Sequence, residues 1–91
     1  MLIVVSYDVV NDRRRTRLAH ALKDFGVRVQ YSVFECLLDA EALEILRRRA
    51  EALIDPSEDS LRVYHLCREC EGKAEYLGTG KATEDPDVFV L

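Results

Sequence analysis

Asp8 and the arginines that follow it are the residues of this chain with the plainest chemistry. Residues 2–17 read LIVVSYDVVNDRRRTR: an apolar run closes on Tyr7 and Asp8, Asn11 and Asp12 form a polar turn, and Arg13, Arg14, Arg15 and Arg17 fall within five residues. A carboxylate delivered to a strand end can hold a hard cation. Guanidiniums beside it can hold phosphate oxygens. Together they point to a nucleic-acid backbone and a divalent metal at one site. A hard cation takes about six oxygens, so one Asp8 per chain is sparse equipment. Two copies across a dimer axis, with water and phosphate, would complete the shell. Two bare carboxylates facing each other would repel.

The arginines crowd the first turns of a helix, where the macrodipole disfavours cations. That placement costs local stability and is a mild sign of a role outside folding. A charge run is ordinarily a solvated face, and some of these side chains are expected to pair with Asp12 or Asp24. For phosphate contact the expected residues are Arg14, Arg15 and Arg17. No reader of base edges is visible, so little sequence specificity is expected. A second run, Arg47 to Arg49, points in three directions beside glutamates and reads as a solvated face.

The elements that must position these groups follow from periodicity. Residues 1–7 form a continuous β-branched run, as in a strand buried on both faces. A helix over 13–25 stacks Leu18, Leu22 and Phe25, capped by Asn11 or Asp12 and stopped by Gly26. Residues 27–38 are β-rich and by propensity alone could be one bent strand; a split near Tyr31-Ser32 into a short edge strand and a longer inner strand is preferred because it gives a more compact topology. Asp39 caps a second helix over 40–54, with a staple between Leu38 and Leu43 and a stripe of Leu43, Leu46, Ala50 and Leu53. Asp55-Pro56 ends it. Residues 60–66 are a strand, 67–73 a polar turn, 74–77 a short strand, 81–86 a loop and 87–91 a last apolar, strand-like segment. The order β-α-β-β-α-β gives one α+β domain over 1–91, a ferredoxin-like sandwich with two helices on one face of an antiparallel sheet. The other sheet face calls for a homodimer, packed through the sheets or closed by exchanging the C-terminal strand.

Bulk properties narrow the classes. At 91 residues with 48% apolar content, a single small core is expected. The net charge of −4 argues against a general basic coat, but the balance is +2 over residues 1–49 and −6 over 50–91. A polyanion site therefore belongs to the first half. The apolar start is short and lacks a basic leader, no run is long enough for a membrane, and three cysteines do not make a secreted framework. A cytoplasmic protein is expected. Cys67-Arg-Glu-Cys70 has metal-ligand spacing but supplies half a zinc site; plain turn thiols, a zinc site completed by a partner chain and a redox pair stay open, the first favoured. Cys36 reads as a small apolar strand residue, and His20 and His65 as surface or core histidines. There is no Gly-rich phosphate loop and no Ser-His-Asp arrangement.

Tyr7-Asp8-Val9, the arginine-rich helix start, Arg28-Val29-Gln30-Tyr31-Ser32-Val33-Phe34-Glu35, the Asp55-Pro56 helix end and the Arg62-Val63-Tyr64 strand together resemble the "Cas two" family of small CRISPR-associated adaptation proteins. The resemblance covers nearly the whole chain. It implies a ferredoxin-like homodimer that bridges the CRISPR integrase and helps hold the duplex DNA that becomes a new spacer. Several members are described as magnesium-dependent endonucleases on RNA or DNA, and others as inactive. The family's metal aspartate matches Asp8 and its tyrosine Tyr7. Its helix arginines best match Arg15 and Arg17, and the residues about the RVQxSVF motif match Arg28 and Phe34. The Cys67–Cys70 pair lies outside the family's general pattern. The expected function is therefore DNA binding and integrase bridging, with Mg2+-dependent phosphodiester hydrolysis through Asp8 of both chains. The competing readings are a toxin-like RNA interferase acting without an integrase, and a ferredoxin-like module for small ligands.

Overall fold

The computed structural model describes residues 1–80. The segments expected at 81–86 and 87–91, and with them any exchange of the C-terminal strand, lie outside the described residues. The elements are β1 (Leu2–Asp8), α1 (Asp12–Leu22), β2 (Val27–Gln30), β3 (Val33–Leu37), α2 (Ala40–Leu53), β4 (Ser60–Leu66) and a short α3 (Arg68–Gly72). The four strands form one sheet in the order β2-β3-β1-β4, with every neighbouring pair antiparallel. This is the ferredoxin-like α+β arrangement: β1 and β2 flank β3, and α1 makes the crossover between them.

Strand alternation separates two faces. On one face Ile3, Val5 and Tyr7 of β1 meet Cys36 and Phe34 of β3 and Leu61 and Val63 of β4. Leu18, Ala19 and Leu22 of α1, with Leu43, Leu46 and Ala50 of α2, close over them as a single core. Burial pushes the Cys36 thiol up to about 11. The other face carries Leu2, Val4, Ser6 and Asp8 beside Val33, Glu35 and Leu37 and beside Arg62, Tyr64 and Leu66.

Local chemistry fixes the element ends. Asn11 caps α1 by accepting the Arg14 N–H at 3.0 Å, and Asp39 caps α2 by accepting the Ala42 N–H at 2.8 Å. The helix α1 ends at Leu22, three residues short of the expected stop. There the N–H groups of Asp24 and Phe25 turn to the carbonyls of Ala21 and Leu22, tightening the last turn. Gly26 is required for a different reason from the expected one. A Cβ there would lie 2.2 Å from the Glu35 carbonyl oxygen and 2.6 Å from Cys36 Sγ, so glycine lets the chain enter β2 flush against β3.

Two expectations after β4 are corrected. The polar stretch at 67–73 contains α3, with Cys67 as its cap. Residues 74–77 are not a strand. Their neighbourhood is bonded locally, Ala74 N–H to Glu71 O and Gly80 N–H to Leu77 O, and Leu77 is 87% exposed.

Candidate nucleic-acid interface and metal site

Asp8 ends β1, paired in register with Ser60 of β4, and is exposed. It shares a cleft with Ser6, Tyr7, Ser60 and Arg62. Among the described residues its carboxylate has no hydrogen-bond or ion-pair partner, which is unusual for an acid beside an arginine. Asp8 with the Ser6 and Ser60 hydroxyls offers oxygen donors only, the set that Mg2+ prefers over softer metals. No group of three or more His, Cys, Asp or Glu among the described residues forms a metal cage. The donors of one chain thus fit a hard cation in kind and fall short in number. Arg62 adds a cation that suits a phosphate.

The strand end is held from both sides. The Tyr7 ring is buried, lies 6.3 Å from the Phe34 ring at 29°, and its hydroxyl donates to the Tyr31 carbonyl at 3.4 Å. Arg28 donates to the same carbonyl from Nε at 3.1 Å and Nη2 at 2.8 Å. Its guanidinium stands 5.5 Å from the Tyr31 ring centre and 5.9 Å from that of Phe34. Tyr7 and Phe34 therefore act as packing supports, and Arg28 pins the β2–β3 turn.

Past Asp8, the loop into α1 is pinned by an acid that the sequence did not single out. Asp59 is buried and accepts Arg14 Nε at 2.8 Å, Arg14 Nη2 at 3.2 Å, the Asp55 N–H at 2.8 Å and the Val10 N–H at 3.2 Å. Glu58 takes a further Arg14 contact at 2.9 Å. The Arg14 guanidinium holds the Asp59 carboxyl down to about 2, and the acids raise Arg14 in turn. Arg14, expected on phosphate, is thus committed inside the molecule: it ties α1 to the α2–β4 connection.

Arg15 is divided. Nη1 donates to the Val9 carbonyl at 2.9 Å, Nη2 pairs with Asp12, and the guanidinium lies 5.8 Å from the Tyr31 ring centre. Arg17 is exposed, with no partner among the described residues. Arg49 takes Asp24 at 3.0 Å, and Arg47 and Arg48 take Glu44. One cleft between α1 and the β2–β3 turn gathers Arg15, His20, Lys23, Arg28 and Tyr31. The fold thus joins Arg15 and Arg28, distant in sequence, into a basic face. It also adds His20 and Lys23, which the i, i+4 spacing along α1 from Arg15 and Thr16 foreshadows. Arg62 and Asp59 carry no such signal, because their positions depend on β4 pairing with β1.

Comparison with known proteins places this geometry. A family model described as CRISPR associated protein Cas2 matches residues 1–74. The chain is 43% identical to CRISPR-associated endoribonuclease Cas2 3 of Chloroflexus aurantiacus, covering 100% of this chain and 98% of that protein. It is 49% identical to CRISPR-associated endonuclease Cas2 2 of Thermus thermophilus, covering 99% and 96%. Among solved structures it is similar to Streptococcus pyogenes Cas2, with 34% identity, a TM-score of 0.74 and coverage of 86% and 100%. It is also similar to a chain of a partial Cas6-RT-Cas1–Cas2 complex, with 26% identity, a TM-score of 0.71 and coverage of 84% and 89%.

Proposed function

The chain belongs to the CRISPR-associated Cas2 family, and from that premise we propose that it works as a homodimer in spacer acquisition, binding duplex DNA through its basic face and bridging the Cas1 integrase. We propose further that it hydrolyses phosphodiester bonds with Mg2+ held between the Asp8 carboxylates of two copies. The observation that carries the catalytic reading is the exposed, unpaired Asp8 in an oxygen-lined cleft beside Arg62. When bound, the metal supplies Lewis-acid charge and lowers the pKa of its water. The protein's own contributions are distinct. Asp8 and the serine hydroxyls ligate, Arg62 receives phosphate, and Tyr7 and Phe34 keep the strand end fixed. The basic face made by Arg15 and Arg28, with Lys23, tracks the backbone and leaves bases unread, and the exposed Arg17 on another side of α1 adds a separate phosphate contact. The partial complex containing Cas1 and Cas2 supports the integrase partner. Relatives named both endoribonuclease and endonuclease leave both RNA and DNA as substrates to assay. No observation favours the stand-alone RNA interferase.

The test uses labelled RNA and duplex DNA with the wild-type protein and Asp8→Asn, in Mg2+ and in chelator, with binding measured in parallel. Cleavage that needs both Asp8 and Mg2+, and falls by on the order of 100-fold or more in the variant, supports the metal site. Equal binding with no cleavage by either protein leaves the bridging role and removes the catalytic one.

A further inference from the structure

Cys67 and Cys70 belong to neither the metal cleft nor the basic face. They frame α3 at the end of the sheet where Leu2 pairs with Leu66, whereas Asp8 pairs with Ser60 at the opposite end. Along β1 that is about 20 Å. Both thiols are exposed. Cys67 is extended, with φ −66° and ψ 163°, and its Sγ accepts the Cys70 N–H at 3.4 Å. Its carbonyl accepts the Glu71 N–H at 2.9 Å, so the turn between the cysteines is closed by backbone as well as by sulfur. Residues three apart across such a turn lie within about 7 Å at Cα, the span a disulfide accepts.

We propose that Cys67 and Cys70 form a reversible intrachain disulfide by exchange with a small, carboxylate-bearing disulfide, a modification site at the junction between β4 and the C-terminal residues. The bonds balance as follows. The Cys67 thiolate attacks one sulfur of R–S–S–R, forming Cys67–S–S–R and releasing R–S−, which takes a proton from water. Cys70 gives its proton to solvent and attacks Cys67 Sγ. The bond to R breaks and a second R–S− leaves and is protonated. Two protein thiols are oxidised, and one small disulfide is reduced to two R–SH. Excess R–SH drives the reverse.

The geometry assigns the roles. The Cys70 N–H points at Cys67 Sγ and holds its pKa below that of an ordinary thiol, while the nearness of Cys67 raises Cys70. Cys67 is therefore the attacking sulfur and Cys70 the resolving one. Lys73 is taken up by Glu69 at 3.4 Å. Arg68 has no partner among the described residues and lines a groove with Cys67, Met1, Leu37 and Glu71, where its guanidinium suits a carboxylate on the small disulfide. Cys36 is shut in the core with its thiol pushed up to about 11, so it does not compete.

The test equilibrates the intact protein in glutathione and glutathione disulfide over a range of ratios. The sample is quenched in acid, denatured and alkylated, and intact mass is read. The expected oxidised product is a single chain lighter by two hydrogens, with one alkylated thiol, Cys36, in place of three. Cys70→Ser is expected to stall with glutathione bound at Cys67. Cys67→Ser is expected to take up glutathione about 10-fold more slowly. Both variants keep wild-type nucleic-acid binding, because neither cysteine lines the basic cleft or the Asp8 cleft. Chains linked to each other, a wild-type protein that stops at the glutathione adduct, or thiols that react only after zinc is stripped from the purified protein would each overturn the assignment.

Discussion

Asp59 decides how the loop after Asp8 is held. Among the described residues it is the one carboxylate that touches the β1–α1 loop through Val10, α1 through Arg14 and the α2–β4 connection through Asp55. An asparagine there keeps the shape and loses the charge facing Arg14, so Asp59→Asn is expected to lower Tm by several degrees. The pH dependence has a definite sign. Asp59 is held at about 2 in the fold, below its usual 3.8. Its contribution is therefore present in full above about pH 4 and is lost as pH falls through about 2. The Tm gap between wild type and Asp59→Asn should be constant near neutral pH and narrow in acid; a gap that widens in acid would refute the pairing. Arg14 and Arg17 then separate cleanly, although both stand in the same arginine run. Arg14→Ala breaks the Asp59 pair and is expected to lower Tm as Asp59→Asn does. Arg17→Ala is expected to leave Tm unchanged and to reduce the salt slope of DNA binding by about 1 per chain.

The elements show which parts of the fold sequence patterns can carry. The β-branched run, the two amphipathic stripes and the Asp39 cap are local signals, and β1, α1, α2 and β4 form at the places they mark, with α1 stopping early at Leu22. The split at Tyr31-Ser32 was not set by propensity, which also allows one bent strand; the more compact topology selected it, and β2 and β3 form on either side of it. The helix α3 was not legible. Its CRECEG sequence has no apolar period, and a sulfur cap on a single turn leaves nothing for periodicity to detect. In the candidate site, Asp8 and the arginine run were visible as residue types. Tyr7, Arg28 and Phe34 came with the family resemblance, while Arg62 and Asp59 needed the β1–β4 register. Gly26 illustrates the same limit: its helix-stop appearance was local, and the close approach to β3 is tertiary. A methyl group there meets backbone atoms at Glu35 and Cys36 that cannot turn aside. Gly26→Ala is expected to cost about 1–3 kcal/mol. It should also weaken nucleic-acid binding, since β2 carries Arg28. Gly72→Ala, with nothing within 4 Å, should be neutral to slightly stabilising. Denaturant unfolding of the two variants checks both, and similar losses in each would show that the β2–β3 approach is not what Gly26 serves.

At the scale of the whole molecule, the sheet face away from the helices remains to be accounted for. Leu2, Val4, Leu37 and Leu66 share it with Tyr64, which is 48% exposed, and Asp8 sits at one corner. A single chain of net charge −4 holds Arg15, Lys23 and Arg28 at one cleft beside α1, so in the proposed dimer a second copy would double that basic track and supply the missing metal ligands in one step. Under the proposed metal site the dimer is a catalytic requirement, and mixing experiments test it. Wild-type chains are re-equilibrated with Asp8→Asn chains at fixed total concentration, and cleavage is measured against the wild-type fraction. If each chain acts alone, activity falls in proportion, to about half in an equal mixture. If the metal needs Asp8 from both copies, only wild-type pairs cut, and random pairing leaves about one quarter. Binding of duplex DNA should stay constant across the same series, because the arginines are untouched. A linear loss of cleavage would place a complete metal site within one chain and break the link drawn here between dimerisation and hydrolysis.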